Sequence, residues 1–203
     1  MTWLLTSTGR CMDLRLADPA AITIEDVAHH LALLNRFTGA TSRPYSVAEH
    51  SVHVMTLMRD EMGIDHPRAL LAGLLHDAHE AYIGDLSTPL KAALDAEDPA
   101  RNWRQVVWRV RAQVQARFGV HAASIGWHRA IRVADLRMLA TERRDLMPRS
   151  GPDWPALEDI AASHDIWLDD YDDPALDWRH WRDRLIELHA FLQARVEDVE
   201  ELG

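Results

Sequence analysis

Apolar residues recur every three to four positions along most of this 203-residue chain, and no series of short alternating strands appears. The first such pattern predicts a helix over residues 24–37, with Thr23 as its N-cap and acidic residues in its first turn. A second predicted helix opens at Ser46, which stands three residues before Glu49 in a capping box, and it runs to about residue 62. Helices packed on helices are therefore expected, and the predicted fold class is all-α.

One strongly apolar segment, residues 70–91, also carries a dense group of ionisable side chains. Pro67 opens its helix, which is expected to continue to about Gly84 before Thr88 and Pro89 begin a shorter one. The ionisable residues are His76, Asp77, His79, Glu80, Asp85 and Lys91. An unpaired charge on a core-facing helix is costly, so a metal ion or an anionic substrate is expected to supply the partner.

The remaining patterns predict helices over 98–118, 122–147 and 174–200, with a proline-containing loop over 148–173. Near the N-terminus, Thr8-Gly9-Arg10 between apolar stretches predicts a turn in a short hairpin or an extended arm. The helix at 98–118 is expected to turn five residues inward, Trp103, Val106, Val107, Val110 and Val114. The last helix is expected to bury Leu176, Trp181, Leu185, Leu188, Leu192 and Val196.

Length and composition limit the classes of protein that fit. A chain of this length suits a single domain over 1–203, with a core at about 23–145 and a C-terminal helical extension at about 174–200. The net charge of −10 argues against a nucleic-acid polymer as partner, although a local basic pocket could hold one small phosphorylated ligand. No apolar stretch approaches the ~20 residues that span a bilayer, and the N-terminus lacks the features of a signal peptide. The single cysteine, Cys11, fits a reducing compartment, so a cytoplasmic protein without a membrane partner is expected.

Three predicted helices place isolated polar groups on otherwise apolar faces. His50 lies on the second helix, His76-Asp77 on the third and Asp135 on the helix at 122–147. Helical bundles build metal sites by projecting ligands inward from facing helices. Two imidazoles and two carboxylates suit one six-coordinate divalent transition metal, Mn, Fe, Co or Ni, with two positions left for water or phosphate oxygen. Zn is a further candidate, although it prefers four ligands and more nitrogen or sulfur. Each residue alone could also be an ordinary interior or surface group, and only the combined order makes the pattern specific.

The combined pattern resembles the HD-domain phosphohydrolase superfamily, and within it most of all the branch of bacterial 5′-deoxynucleotidases. The resemblance covers about residues 23–145 and implies a helical bundle with a metal site between helices. The segments that carry it are Asn35-Arg36-Phe37, Tyr45-Ser-Val-Ala-Glu-His-Ser51, Leu75-His-Asp-Ala-His-Glu80, Gly84-Asp-Leu-Ser-Thr-Pro-Leu-Lys91 and Val133-Ala-Asp135.

What the resemblance implies for individual residues can be divided by role. One divalent metal would be held by His50, His76, Asp77 and Asp135. Glu80 would assist proton transfer, and Asp85 would act beside the substrate. The spacing agrees for Glu80, because on a continuing helix it would share one side with His76 and Asp77.

The substrate side is expected to hold Arg36, Phe37, Asp85, Thr88 and Lys91. Arg36 would bind phosphate through its two-pronged guanidinium group, and Lys91 would act as a point charge. Phe37 stands where the branch usually has tryptophan, which weakens any inference about sugar selectivity. The resemblance also implies self-association as a homodimer, for which the apolar C-terminal helix could serve.

The leading functional hypothesis is a metal-dependent phosphohydrolase that releases phosphate from (deoxy)nucleoside 5′-monophosphates. A second hypothesis keeps the same metal site but assigns triphosphohydrolase, pyrophosphohydrolase or other phosphate-ester activity. A third is a regulatory module that binds metal and nucleotide without turnover. The presence of Glu80 together with all four predicted ligands favours catalysis over the third.

Overall fold

The computed structural model describes residues 1–16, 18–98, 100, 102–168 and 177–201. The predicted all-α class is confirmed, since the described residues form helices apart from loops and one small hairpin. The helices are α1 (Ile24–Leu33), α2 (Val47–Asp60), α3 (Pro67–Leu74), α4 (Glu80–Ile83), α5 (Thr88–Glu97), α6 (Asn102–Arg117), α7 (His121–Gly126), α8 (His128–Asp145) and α9 (Trp178–Glu201). Short 3-10 turns cover Pro19–Ala21, Arg36–Gly39 and Pro155–Leu157.

The N-terminal hairpin is present as predicted. Strand β1 (Trp3–Leu5) pairs antiparallel with β2 (Cys11–Asp13), and Gly9 in the connecting turn takes a positive φ of 81° that suits glycine. Met12 is fully buried, so the hairpin packs onto the helical core.

Helix α2 lies at the centre of the bundle and packs against α1, α3, α8 and α9. Ser46 caps it, because its hydroxyl accepts a hydrogen bond from the Glu49 backbone N–H at 3.1 Å. Nearly every side chain of α2 is buried, which places His50 deep inside the protein. None of the helices in the described ranges is long and apolar enough to cross a membrane.

Two of the predicted helix ends are wrong, and both errors fall at chemically important residues. The first helix ends at Leu33 rather than residue 37, since Asn35 forms a β-bridge with Ser46. Phe37 and Thr38 both take a left-handed φ of 55°, so Arg36 lies in a tight turn. The third helix ends at Leu74, and residues 75–79 form irregular turns before α4.

The other differences concern boundaries in the second half of the chain. The predicted helix over 122–147 is two helices, α7 and α8, divided at Trp127. Val106 was expected to face inward but is 36% exposed. The last helix is described from Trp178, so positions 174–176, with the predicted core residue Leu176, and loop positions 169–173 lie outside the described residues. The remaining apolar stripe of α9 is buried as predicted, at Trp181, Leu185, Leu188, Leu192 and Val196.

Candidate metal centre

Three of the four predicted ligands meet where α2, α8 and the turn after α3 converge. His50, His76 and Asp135 each offer one ligand atom, and these atoms lie within 4.8 Å of one another. The Nε2 atom of His50 is 3.3 Å from Nε2 of His76 and 3.3 Å from Oδ1 of Asp135. His50 is fully buried, while the Asp135 side chain is 36% exposed and leaves the cluster open on one side.

The donor set fits a cation because the Nε2 atom of each imidazole faces the cluster. Nδ1 of His76 donates to the carbonyl oxygen of Gly73 at 2.9 Å, and Nδ1 of His50 donates to Oε1 of Glu142 at 2.6 Å. In the neutral tautomers, each Nε2 therefore carries an unshared pair, and the two pairs face each other across 3.3 Å. A divalent transition metal satisfies such an arrangement of nitrogen and carboxylate oxygen.

Asp77 lies beside this triad. Its Oδ2 atom is 3.1 Å from Nε2 of His76 and 4.0 Å from Nε2 of His50. Burial opposes ionisation of Asp77, but the neighbouring histidines outweigh it and hold the pKa of this carboxyl well below its usual range. An ionised Asp77 can therefore serve as the fourth ligand in the predicted set.

Glu142 is a central residue that the sequence reasoning missed. It is fully buried on α8, and its two oxygens bridge His50 and Arg36, accepting from Arg36 Nη2 at 3.0 Å. A carboxylate that accepts from the remote nitrogen of a metal-binding histidine fixes its tautomer and orientation. Glu142 stands seven residues after Asp135, two helical turns along one face of α8, and this spacing is the signal that could have found it.

Arg36 reaches the cluster from the tight turn after α1. Its Nη1 atom is 4.0 Å from Oδ2 of Asp77, and its Nε is buried without a hydrogen-bond partner among the described residues. Burial alone would lower its pKa, but the neighbouring acidic groups, with Glu142 the strongest and Asp135 and Asp77 adding to it, together outweigh burial and raise the pKa, so the guanidinium stays charged. The predicted phosphate-binding arginine therefore borders the candidate metal position.

Glu80 is the first residue of α4, three positions after the dyad formed by His76 and Asp77, and it is 5% exposed. The prediction that it continues the helix of His76 and Asp77 is wrong, because irregular turns separate them and α4 begins afresh at Glu80. Burial and the negative charges of Asp77 and Asp85 raise the pKa of Glu80 to about 10, so it holds a proton at neutral pH in the metal-free protein. Its Oε2 is buried with no hydrogen-bond partner in the described part of the chain.

The predicted substrate side is only partly assembled around this centre. Asp85 is half-buried, and burial raises its pKa, against the opposing positive charges of Arg36 and Lys91. Thr88 is exposed at the start of α5, and no hydrogen bond joins it to the cluster within the described residues. Phe37 lies against the Arg36 guanidinium, with Cζ 5.3 Å from its ring centroid, and also packs on Trp154, with 5.9 Å between ring centroids, so the loop after α8 borders the Arg36 turn.

Comparison with known proteins supplies the family context. Residues 34–126 match the family model described as HD domain, a range that includes His50, His76 and Asp77 but ends before Asp135. The uncharacterized protein YfdR of Escherichia coli K12 is 32% identical over 163 residues, which is 80% of this chain and 83% of the relative. An uncharacterized protein of Rhodobacter capsulatus is 42% identical over 137 residues, which is 66% of this chain and 67% of the relative. Neither name states an activity.

Proposed function

The chain belongs to the HD-domain family, whose members are generally metal-dependent phosphohydrolases, and we propose that its substrates are (deoxy)nucleoside 5′-monophosphates. The observation that carries the proposal is the cluster of His50, His76 and Asp135 with a charged arginine beside it. Arg36 places Nη1 4.0 Å from Oδ2 of Asp77, the residue next to His76. A cation site beside a buried arginine suits a small phosphate ester rather than a neutral ligand.

The ligand set proposed for the cation is His50, His76, Asp77 and Asp135. A divalent metal bound there supplies a Lewis acid that polarises a phosphoryl oxygen and lowers the pKa of a coordinated water. Mn, Co, Fe, Ni and Zn all remain candidates for the bound ion, because nitrogen and carboxylate ligands suit each of them.

The protein's own groups divide the remaining work. Arg36 binds the phosphoryl oxygens, and Glu142 accepts a hydrogen bond from its guanidinium group and so holds it beside the centre. Glu80, which holds a proton on its buried carboxyl in the metal-free protein, is proposed to give a proton to the leaving alkoxide oxygen. Asp85 and Lys91 lie near enough to Glu80 for their charges to affect its ionisation, and both are proposed to face the substrate with Phe37 and Thr88.

The direct test is incubation of the Mn²⁺- or Co²⁺-loaded protein with the common nucleoside 5′-monophosphates and triphosphates, followed by product analysis. Orthophosphate released from monophosphates is the expected result. Polyphosphate released from triphosphates instead would move the assignment to triphosphohydrolase. Thermal stabilisation by nucleotides without any hydrolysis would indicate a regulatory module, and no effect of any nucleotide would overturn the proposed substrate class.

A further inference from the structure

A second arginine lies close to Asp77, near the carboxylate oxygen that Arg36 does not approach. Arg111, on α6, places Nη2 3.9 Å from Oδ1 of Asp77 and donates to the carbonyl oxygen of His76 at 3.3 Å. Arg36 lies 4.0 Å from the other oxygen, Oδ2, of the same carboxylate. The two guanidinium groups therefore flank Asp77.

The two arginines differ in how many of their donors are available. Arg36 is buried and uses Nη2 to hold Glu142 at 3.0 Å. The Arg111 side chain is 46% exposed, and one of its nitrogens makes both contacts with the dyad. Since a guanidinium carries five N–H donors, Arg111 keeps donors that no other described residue occupies, and these can face a ligand that enters from solvent.

The balance of charge around the centre points to the same residue. The carboxylates of Asp77, Asp135 and Glu142 are matched by Arg36 together with one divalent cation. Asp85 and Lys91 contribute one charge of each sign. Arg111 adds a further positive charge beside His76 and Asp77, and it would attract a phosphate monoester, which carries nearly two negative charges at neutral pH.

From this geometry we propose that Arg111 is a substrate-binding residue which, with Arg36 across Asp77, clamps the dianionic phosphate group. The inference rests on the proposed phosphohydrolase function and deepens it, because a two-arginine clamp selects terminal phosphate monoesters over phosphodiesters. Arginine suits the role since its planar fork matches two phosphate oxygens at once.

Orthophosphate binding is the test, because it needs no turnover. The dissociation constant of orthophosphate would be measured by calorimetry with Mn²⁺-saturated wild type, Arg111→Gln and Arg111→Lys, with dimethyl phosphate as a singly charged probe. Arg111→Gln is expected to weaken orthophosphate about 10-fold and dimethyl phosphate much less, with Arg111→Lys in between. Arg109→Gln is the matched control, because it removes the same charge from the opposite side of α6 and should leave binding unchanged.

The outcomes separate this inference from the proposed function. If Arg111→Gln weakens Mn²⁺ binding but leaves orthophosphate affinity at saturating Mn²⁺ unchanged, Arg111 only orients Asp77 and the inference is overturned. Failure of the wild type to bind orthophosphate at all would also overturn it. If orthophosphate affinity falls as expected although no nucleotide is hydrolysed, the clamp stands and the proposed nucleotidase activity fails.

Discussion

Asp26 and Glu80 are both buried carboxyl groups on short helical segments, yet their surroundings are opposite. The Asp26 carboxylate accepts four hydrogen bonds, from the Ser7 hydroxyl, the Thr8 N–H and hydroxyl, and the Thr23 hydroxyl, at 2.7–3.1 Å. Glu80 lies near two other acids, Asp77 and Asp85, and one of its oxygens has no partner in the described residues.

The difference appears directly in their acidity. Burial alone would raise the pKa of Asp26, but the hydrogen bonds from Ser7 and Thr8 outweigh it and lower the pKa to about 2. For Glu80, burial and like charges act together and raise the pKa to about 10. A buried acid whose lone pairs are all matched stabilises a fold, whereas one left under-satisfied beside other acids marks a site that a ligand completes.

The largest expected effect comes from removing a proposed ligand. Loss of a residue that only supports a metal ligand lowers metal affinity by up to ~100-fold. Asp77→Ala removes a ligand itself, so metal affinity should fall by more than this, and activity should disappear with the metal. Metal content after dialysis and hydrolysis of a nucleoside 5′-monophosphate would be measured together. Asp183→Ala, a surface change beside Arg182, is the control. Full activity in Asp77→Ala would show that the ligand assignment is wrong.

Glu80→Gln should separate proton transfer from metal binding. Retained metal with kcat lowered about 10²- to 10⁴-fold is expected, because glutamine keeps the shape but cannot give a proton. Loss of the metal in parallel would instead make Glu80 a ligand.

The same substitution should also stabilise the metal-free protein. Between the ordinary pKa of glutamate, 4.5, and the folded value of about 10, the unfolded chain releases a proton that the folded chain keeps. Stability conferred through Glu80 therefore falls as pH rises across this window, and Gln removes the effect. Urea unfolding of the wild type and of Glu80→Gln at pH 5 and pH 8 would measure the difference in stability. If Glu80→Gln is no more stable than the wild type at pH 8, the raised pKa of Glu80 is contradicted.

Glu142→Gln should produce an intermediate effect on the metal. Glutamine can still contact His50 and Arg36 but loses the charge that orients the imidazole, so metal affinity should fall about 10- to 100-fold. Calorimetric titration with Mn²⁺ would measure this, with the exposed Glu158→Gln as control. Unchanged affinity would mean that Glu142 serves only to balance Arg36.

Local sequence patterns predicted some parts of the molecule well and missed others, where contacts between distant residues decide the structure. Helical spacing and caps located α2 and α9, since local apolar periodicity and the Ser46 cap determine them. The end of α3 was missed because Leu75 to His79 keep a helix-compatible composition, while the chain leaves the helix to bring His76 toward His50. Glu142 was missed because it stands next to two arginines in sequence, as an exposed acid would, and only the packing of α8 on α2 buries it.

Asp26→Asn should have the smallest effect and leave the metal centre untouched. The Asp26 carboxylate accepts hydrogen bonds from four donors, in the hairpin turn and at the start of α1, whereas asparagine offers only one acceptor oxygen. The free energy of unfolding should therefore fall by about 2 kcal/mol at pH 7. Because the folded pKa of about 2 lies below the ordinary 3.8, the wild type should lose this stability as pH falls from about 4 to about 2, and the variant should not. Urea unfolding from pH 2 to pH 7, with Mn²⁺ titration as the control, tests both points. A change in metal affinity in Asp26→Asn would mean that the hairpin cluster and the metal centre are coupled, and the distinction between a structural and a functional buried acid would fail for this protein.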